Sequence, residues 1–495
     1  MKKLNKLYLI AAFMFVGYSC EITDLDQLNN PNAVTLENAG IDLYWNSVQT
    51  SFPGWWYGNQ TPMLEVARLD CMTAGAGYQE AYGPSDFNGS WNGAYAGLVP
   101  DIDAMIASGT EAESFVHVGA GKILKGYIMQ LMVDKHGDIP YSEAWQGTSV
   151  PSPKVDDAQS IYAAINALYD EGIADLGKTA IGAPAVDIFY GNDKGKWITL
   201  ANTLKFRLAL NTGDAAGVSA ALSAGVIDET AEDWVFSYGS NRQNPDSRHP
   251  WYGGAYESFA GPYQSNYFMW ELSEEKPFAD PRLRYYFKRQ DLNLKGEDLF
   301  TIDCASPDQL PAWYDFTYTN AYGQETSWPY CGGSNRTTVD ASYAKGYWGR
   351  DHGNNDGTPP DGQKRTHRGI YPAAGAYDDG NAATETDGAV EAGLAPSIHT
   401  QQSGTMGGGG DGHAPILMAA NVYFMRAEAA LDGYSSENAK DMLELALSTS
   451  INSVISYSNS WGSTGDFDDD GVGAEPTTCL LYTSPSPRDV EESRM

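Results

Sequence analysis

The segment 134–145, Asp-Lys-His-Gly-Asp-Ile-Pro-Tyr-Ser-Glu-Ala-Trp, decides how the rest of this chain is read. From Phe115 up to it, Val116, Ala120, Ile123, Tyr127 and Leu131 recur at three- and four-residue steps, and Leu124, Ile128 and Met132 widen the stripe. A helix that apolar round most of its girth belongs in a core. Gly137 can adopt the left-handed conformation that ends a helix, and Pro140 cannot continue one. The sequence therefore predicts a hard stop followed by aromatic anchors at Tyr141 and Trp145.

Working outward, 33–52 reads as a first helix carrying Leu36, Ala39, Leu43 and Val48. Phe52-Pro53-Gly54-Trp55-Trp56-Tyr57 is expected to break it, with another helix over about 62–72. Trp91, Tyr95, Leu98, Ile102 and Ile106 form a further stripe, closed by Ser108-Gly109. Beyond Pro151-Ser152-Pro153, Ile161 to Leu176 makes the next helix and 196–211 the one after. The latter is apolar nearly all round, so its Arg207 needs a carboxylate or carbonyl partner. From Trp234 to about Pro415 the chain is dense in Gly, Asn, Asp, Pro and Tyr, with short regular pieces at 266–272 and 281–287; such length points to functional loops. Helix is expected again over 414–431, where Ala420, Ala427 and Ala430 permit close packing, and over 438–455. Such a pair has the look of a tetratricopeptide hairpin.

The 495 residues carry 64 acidic against 31 basic side chains, a net charge of −33, which repels phosphate backbones and excludes nucleic acid as a partner. The 31 Tyr and 13 Trp supply flat apolar faces with polar edges, suited to sugar rings or peptides. Neither a GxSxG nucleophile turn nor an HExxH zinc motif occurs, and the cysteines have no close pairs, so no catalytic or metal site is expected. Asp466-Phe-Asp-Asp-Asp-Gly471 matches half of a calcium loop, but Thr477 stands where the bidentate Glu belongs; a solvated acidic loop is the reading, calcium the alternative, and no other cofactor is implied.

At the start, Lys2, Lys3 and Lys6 precede the apolar run Leu7 to Val16 and then Gly17-Tyr18-Ser19 before Cys20, the pattern of an export signal over 1–19 with a lipid-accepting cysteine. Tyr18 departs from the small residue preferred there, which leaves plain secretory cleavage as the alternative. Glu21, Asp24 and Asp26 follow in a tether over 20–32. In an oxidising compartment Cys71, Cys304 and Cys331 allow one bridge, assigned to Cys304 and Cys331 because both sit in the loop-rich region.

The blocks DKHGDIPYSEAWQG (134–147), KWITLANTLKFRLALN (196–211), DPRLRYYF (280–287), GYWGRDHGNNDGTPPDGQKRT (346–366) and GIYPAAG (369–375), in this order, resemble the SusD/RagB family of outer-membrane lipoproteins. The resemblance implies a single all-α domain over 33–478, in which tetratricopeptide-type hairpins support a loop-rich ligand-binding face. It further implies a cell-surface, outer-membrane lipoprotein, palmitate-anchored at Cys20 and not an enzyme. Such a protein binds oligosaccharide or peptide and passes it to a SusC-like TonB-dependent transporter. A helical glycoside hydrolase and a structural surface protein are the alternative readings. The stretch 479–495 begins Cys-Leu-Leu-Tyr-Thr-Ser-Pro-Ser-Pro-Arg-Asp and resembles a reading frame of a transposon-type sequencing adapter. It is expected to be non-native, the domain to be cut short near Thr478, and apolar surface to be exposed on the helices of 414–455.

Candidate ligand contacts are aromatics that no helical period claims for the core: Trp55, Trp56 and Tyr57 at the expected break, Tyr78 and Tyr82 in the glycine-rich stretch, and Trp313, Tyr314, Trp328 and Tyr330 in the loops. The amino-terminal pattern yields a direct expectation. Cys20→Ala should move the protein out of the detergent-rich phase in phase partitioning, and identical partitioning of both proteins would count against the anchor.

Overall fold

The computed structural model describes residues 40–71, 82–256, 264–273, 280–288, 317–319, 325–327, 366–378 and 407–461. The expected positions Cys20, Tyr78, Cys304, Trp313, Tyr314, Trp328, Tyr330, Cys331, the acidic loop and the terminal stretch lie outside them. The helices are α1 (Ile41–Val66), α2 (Asn88–Asn92), α3 (Val99–Glu111), α4 (Phe115–His136), α5 (Ala158–Leu176), α6 (Lys194–Asn211), α7 (Ala215–Ala224), α8 (Pro250–Tyr256), α9 (Asn266–Ser273), α10 (Leu283–Tyr286), α11 (Ala419–Leu431) and α12 (Ala439–Ser460). Short strands β1 (Trp234–Ser237), β2 (Phe287–Lys288), β3 (Thr317–Thr319), β4 (Glu325–Ser327), β5 (His367–Arg368) and β6 (His413–Leu417) join in antiparallel pairs β1–β6, β2–β5 and β3–β4. The protein is mainly α-helical. Helices α4 and α5, α6 and α7, and α11 and α12 pack as successive hairpins.

Helix α4 occupies the centre, packed against α3, α5 and α6. Its close approach to α5 depends on glycine: a Cβ at Gly126 would run into the Tyr169 ring, and one at Gly119 into Leu176 and the Gly172 carbonyl. Gly137 has φ 72° and ends the helix as expected. The residues around that stop then tie it to the surrounding helices. Asp134 pairs with Arg207 at 3.4 Å and accepts from the Tyr162 hydroxyl at 2.7 Å; Asp138 accepts from the Ala158 N–H at the start of α5 at 2.8 Å. The Pro140 carbonyl accepts from the Tyr95 hydroxyl at 2.7 Å. Trp145 donates to the Tyr95 carbonyl at 2.9 Å and stacks on its ring with centroids 5.3 Å apart. Tyr95 in turn stacks on Trp91, in a π-helical bulge, Gly93–Leu98, between α2 and α3. Asp156 accepts from the backbone of Tyr141 and Ser142, and those bonds, Ser142 first, hold its carboxyl down at about 2.

Two expectations are corrected. The chain does not break at 52–57: α1 runs through Pro53 and Pro62 without interruption, so the two helices expected on either side are one. Losing a backbone donor at an internal proline costs about 3 kcal/mol. Against this, Tyr44, Trp45, Val48, Phe52, Trp55 and Trp56 form a continuous buried stripe across Pro53, and burying that many large side chains is worth several times as much. Likewise 413–417 is strand rather than the start of α11. Its partner, Trp234–Ser237, lies far away in sequence, and a short unbroken apolar run does not by itself tell strand from helix. Trp234, fully buried, stacks on Phe52 at 5.4 Å and meets Tyr127 edge-on at 4.8 Å, so β1 is pinned into the helical core. Large apolar side chains exposed on α11 and α12 include Phe424, Leu431 and Leu445.

Asp233, just before β1, binds this region together. Its carboxyl accepts from the Ala419 N–H at 2.7 Å, at the start of α11, and from the Tyr457 hydroxyl of α12 at 3.4 Å. Burial pushes it up to about 7, the two hydrogen bonds offsetting part of the effect. The folded state therefore holds this proton more tightly than the unfolded chain, where an aspartate titrates near 4. The contribution to stability is complete below about pH 4 and is lost as pH rises through about 7. Asp233→Asn keeps an acceptor for Ala419 and cannot ionise. Relative to the parent, it should gain on the order of 2 kcal/mol in unfolding free energy between about pH 5 and about pH 8, measured by denaturant titration. An unchanged difference across that range would refute the assignment.

Candidate functional site

A cavity of about 420 Å³ opens where α1, α4, α6, β6 and α11 meet the segment leading into α8. Each wall follows from the local geometry of its element. On α1, Trp56, Tyr57, Gln60 and Leu64 share one helical face. Helix α4 adds Tyr127 and Leu131 one turn apart, and α6 adds Arg207. Pro415, Ile416 and Leu417 of β6 and Asn421 and Met425 of α11 close the far side, with His249, Trp251 and Pro372 at the rim of the loop region.

The aromatic groups are held from behind. Trp251 lies under the Arg368 guanidinium, 3.5 Å from the ring centroid, and Arg368 is paired with the buried Asp70 at 2.5 Å. This layering fixes the indole. Tyr57 meets Trp251 edge-on at 5.6 Å and His249 at 6.0 Å, and burial pushes its phenol well above the ordinary range. Trp56 donates through Nε1 to the Tyr127 hydroxyl at 3.1 Å.

The polar atoms have definite roles. The Trp251 backbone N–H donates to His249 Nδ1 at 3.1 Å, so that nitrogen must carry the lone pair. Burial, reinforced by His413 and Arg368, holds the imidazole well below the ordinary histidine range, so it is neutral with its proton on Nε2. The Asn421 side-chain oxygen accepts from the Met418 N–H at 2.9 Å, which leaves its amide as a donor. Arg207 finds the carboxylate its sequence context demanded, Asp134, through one loose contact. Such a site can stack flat ligand faces and donate hydrogen bonds.

Of the aromatics expected at the site, Trp56 and Tyr57 line the cavity. Trp55 does not: it is 9% exposed, faces away into the core beside Gly93 and donates to the Ser90 carbonyl at 2.9 Å. With no break at Pro53, α1 turns it inward. Tyr82 is hydrogen-bonded to Glu65 and packs on Phe87, away from the cavity. Tyr127, Arg207, His249, Trp251 and Asn421 were not among the expected contacts. The signal available for two of them was the compact Arg248-His249-Pro250-Trp251-Tyr252 run inside the glycine-rich region. Among the described residues no group of three His, Cys, Asp or Glu side chains is placed to hold a metal ion, and no helix is long and apolar enough to cross a membrane. Cys71 is buried.

The SusD-like family model, described as "Starch-binding associating with outer membrane", matches residues 46–300, just over half of the chain. No curated protein matches in sequence. Among solved structures, a chitin-binding protein is similar with a TM-score of 0.59 at 16% identity, over 92% of this chain and 82% of that one. A SusD/RagB family protein from Bacteroides thetaiotaomicron is similar with a TM-score of 0.57 at 16% identity, over 92% and 81%. A SusD homologue from Bacteroides vulgatus gives 0.54 at 17% identity, over 90% and 75%. At such identities the likeness is one of fold.

Because Trp55 is core, Trp55→Ala should cost about 3–5 kcal/mol of unfolding free energy, read from chemical denaturation. A loss under about 1 kcal/mol would return Trp55 to the surface.

Proposed function

This chain belongs to the SusD-like family, and from that premise we propose that it is a lipid-anchored receptor, held at Cys20 on the outer face of the outer membrane. It captures nutrients and hands them to a SusC-like TonB-dependent transporter. The observation that carries the reading is the aromatic-walled cavity on a SusD-like helical scaffold, with Tyr57 and Trp251 braced from behind so that their faces are pre-set for a ligand. Oligosaccharide and peptide both suit such walls; the chitin-binding structure of similar fold supports the glycan. Capture rather than turnover fits the cavity's chemistry, since its lining contributes stacking surfaces and hydrogen-bond donors.

Calorimetry on the full chain tests this, with chitotriose and a defined tripeptide as probes. Binding should be detected for at least one class. Trp251→Ala should weaken it by about 1–3 kcal/mol while the melting temperature stays near that of the parent. Failure of both probe classes, or undiminished binding by the variant, would count against the cavity as the receptor site.

A further inference from the structure

Donors predominate among the polar groups of the cavity, the Gln60 amide oxygen and the Tyr57 hydroxyl being the side-chain atoms that can accept. Tyr127 is nearly fully buried, and its hydroxyl oxygen accepts from Trp56 Nε1 and lies beside the Arg207 guanidinium. Indole and guanidinium are donors without acceptor capacity, so neither can take the Tyr127 hydroxyl proton. His249 offers Nε2–H, because its Nδ1 is occupied by the Trp251 backbone. Asn421 offers its amide, because its oxygen is occupied by Met418. Arg207 spends one contact on Asp134, loose at 3.4 Å, and has further N–H groups in its fork. In a chain of net charge −33, no Asp or Glu among the described residues lines this cavity. Neutral sugar hydroxyls need acceptors as well as donors, and a site in which donors predominate meets that need poorly. A group that only accepts makes no such demand.

Building on the receptor reading above, we propose that the cavity selects ligands bearing a carboxylate on an apolar-faced body, with the carboxylate held by Arg207, the Tyr127 hydroxyl and His249 Nε2–H, and the body lying against Tyr57 and Trp251. A sugar acid and a peptide carboxyl terminus share this chemistry.

The experiment separates the two sources by paired probes that differ only in the charge: trigalacturonate against its full methyl ester, and trileucine against trileucine amide, with chitotriose as a neutral reference. Calorimetry on the full chain should show at least one free acid binding about tenfold or more tightly than its neutral counterpart. The pair that discriminates identifies the source. Tyr127→Phe, which removes only the hydroxyl, should cut that preference by about three- to tenfold. Arg207→Gln should abolish it, with circular dichroism confirming that both variants fold. Equal binding of acid and neutral partner, or a preference that survives in both variants, overturns the carboxylate site while the receptor role stands. Binding of chitotriose alone does the same. If no probe of any kind binds, the receptor reading of the cavity falls with it.

Discussion

Burial of α4 on nearly every side is the condition on which the rest of this structure depends. A helix enclosed by α3, α5 and α6 has no room for side chains at its closest approaches, which is why Gly119 and Gly126 face Leu176 and Tyr169. It also cannot end inside the core, where its last carbonyls would go unsatisfied. The chain must leave abruptly and be secured where it emerges. Asp134, Asp138, Pro140 and Trp145 do this with an ion pair, a helix cap, a carbonyl and a stacked indole. The motif is therefore dense because these four residues, close together in sequence, each answer a requirement set by the helix before them.

The elements that could be read from sequence are those whose burial pattern repeats within the element itself. The start and stop of α4 and the extent of α6 follow from period and punctuation alone. Two readings failed because the deciding partner was remote. At Pro53 the local cost of proline argued for a break, yet Trp45 and Phe52 on one side and Trp55 and Trp56 on the other had a common core to enter. At 413–417 the strand exists because Trp234–Ser237 lies beside it. Neither fact is visible in a window of a dozen residues.

The cavity was half legible for the same reason. Trp56 and Tyr57 announced themselves as adjacent aromatics, whereas Tyr127 and Arg207 looked like core residues of amphipathic helices, and in part they are. Their second role arises because a face of α4 and α6 is left uncovered between α1 and α11. Trp251 needed Arg368 and Asp70, more than a hundred residues away on either side, to become a fixed platform. A ligand surface assembled from six separate segments leaves no continuous mark in the chain.

The hydrogen bond from the Trp251 backbone to His249 has a further consequence. It engages the only lone pair of a neutral imidazole, and it does so at the first turn of α8. This ring can therefore neither draw a proton from a bound molecule nor coordinate a cation unless the helix first gives up its cap. Its chemistry is locked to the conformation of the main chain, and the surface it presents is that of a fixed donor, able to recognise an acceptor and unable to attack it.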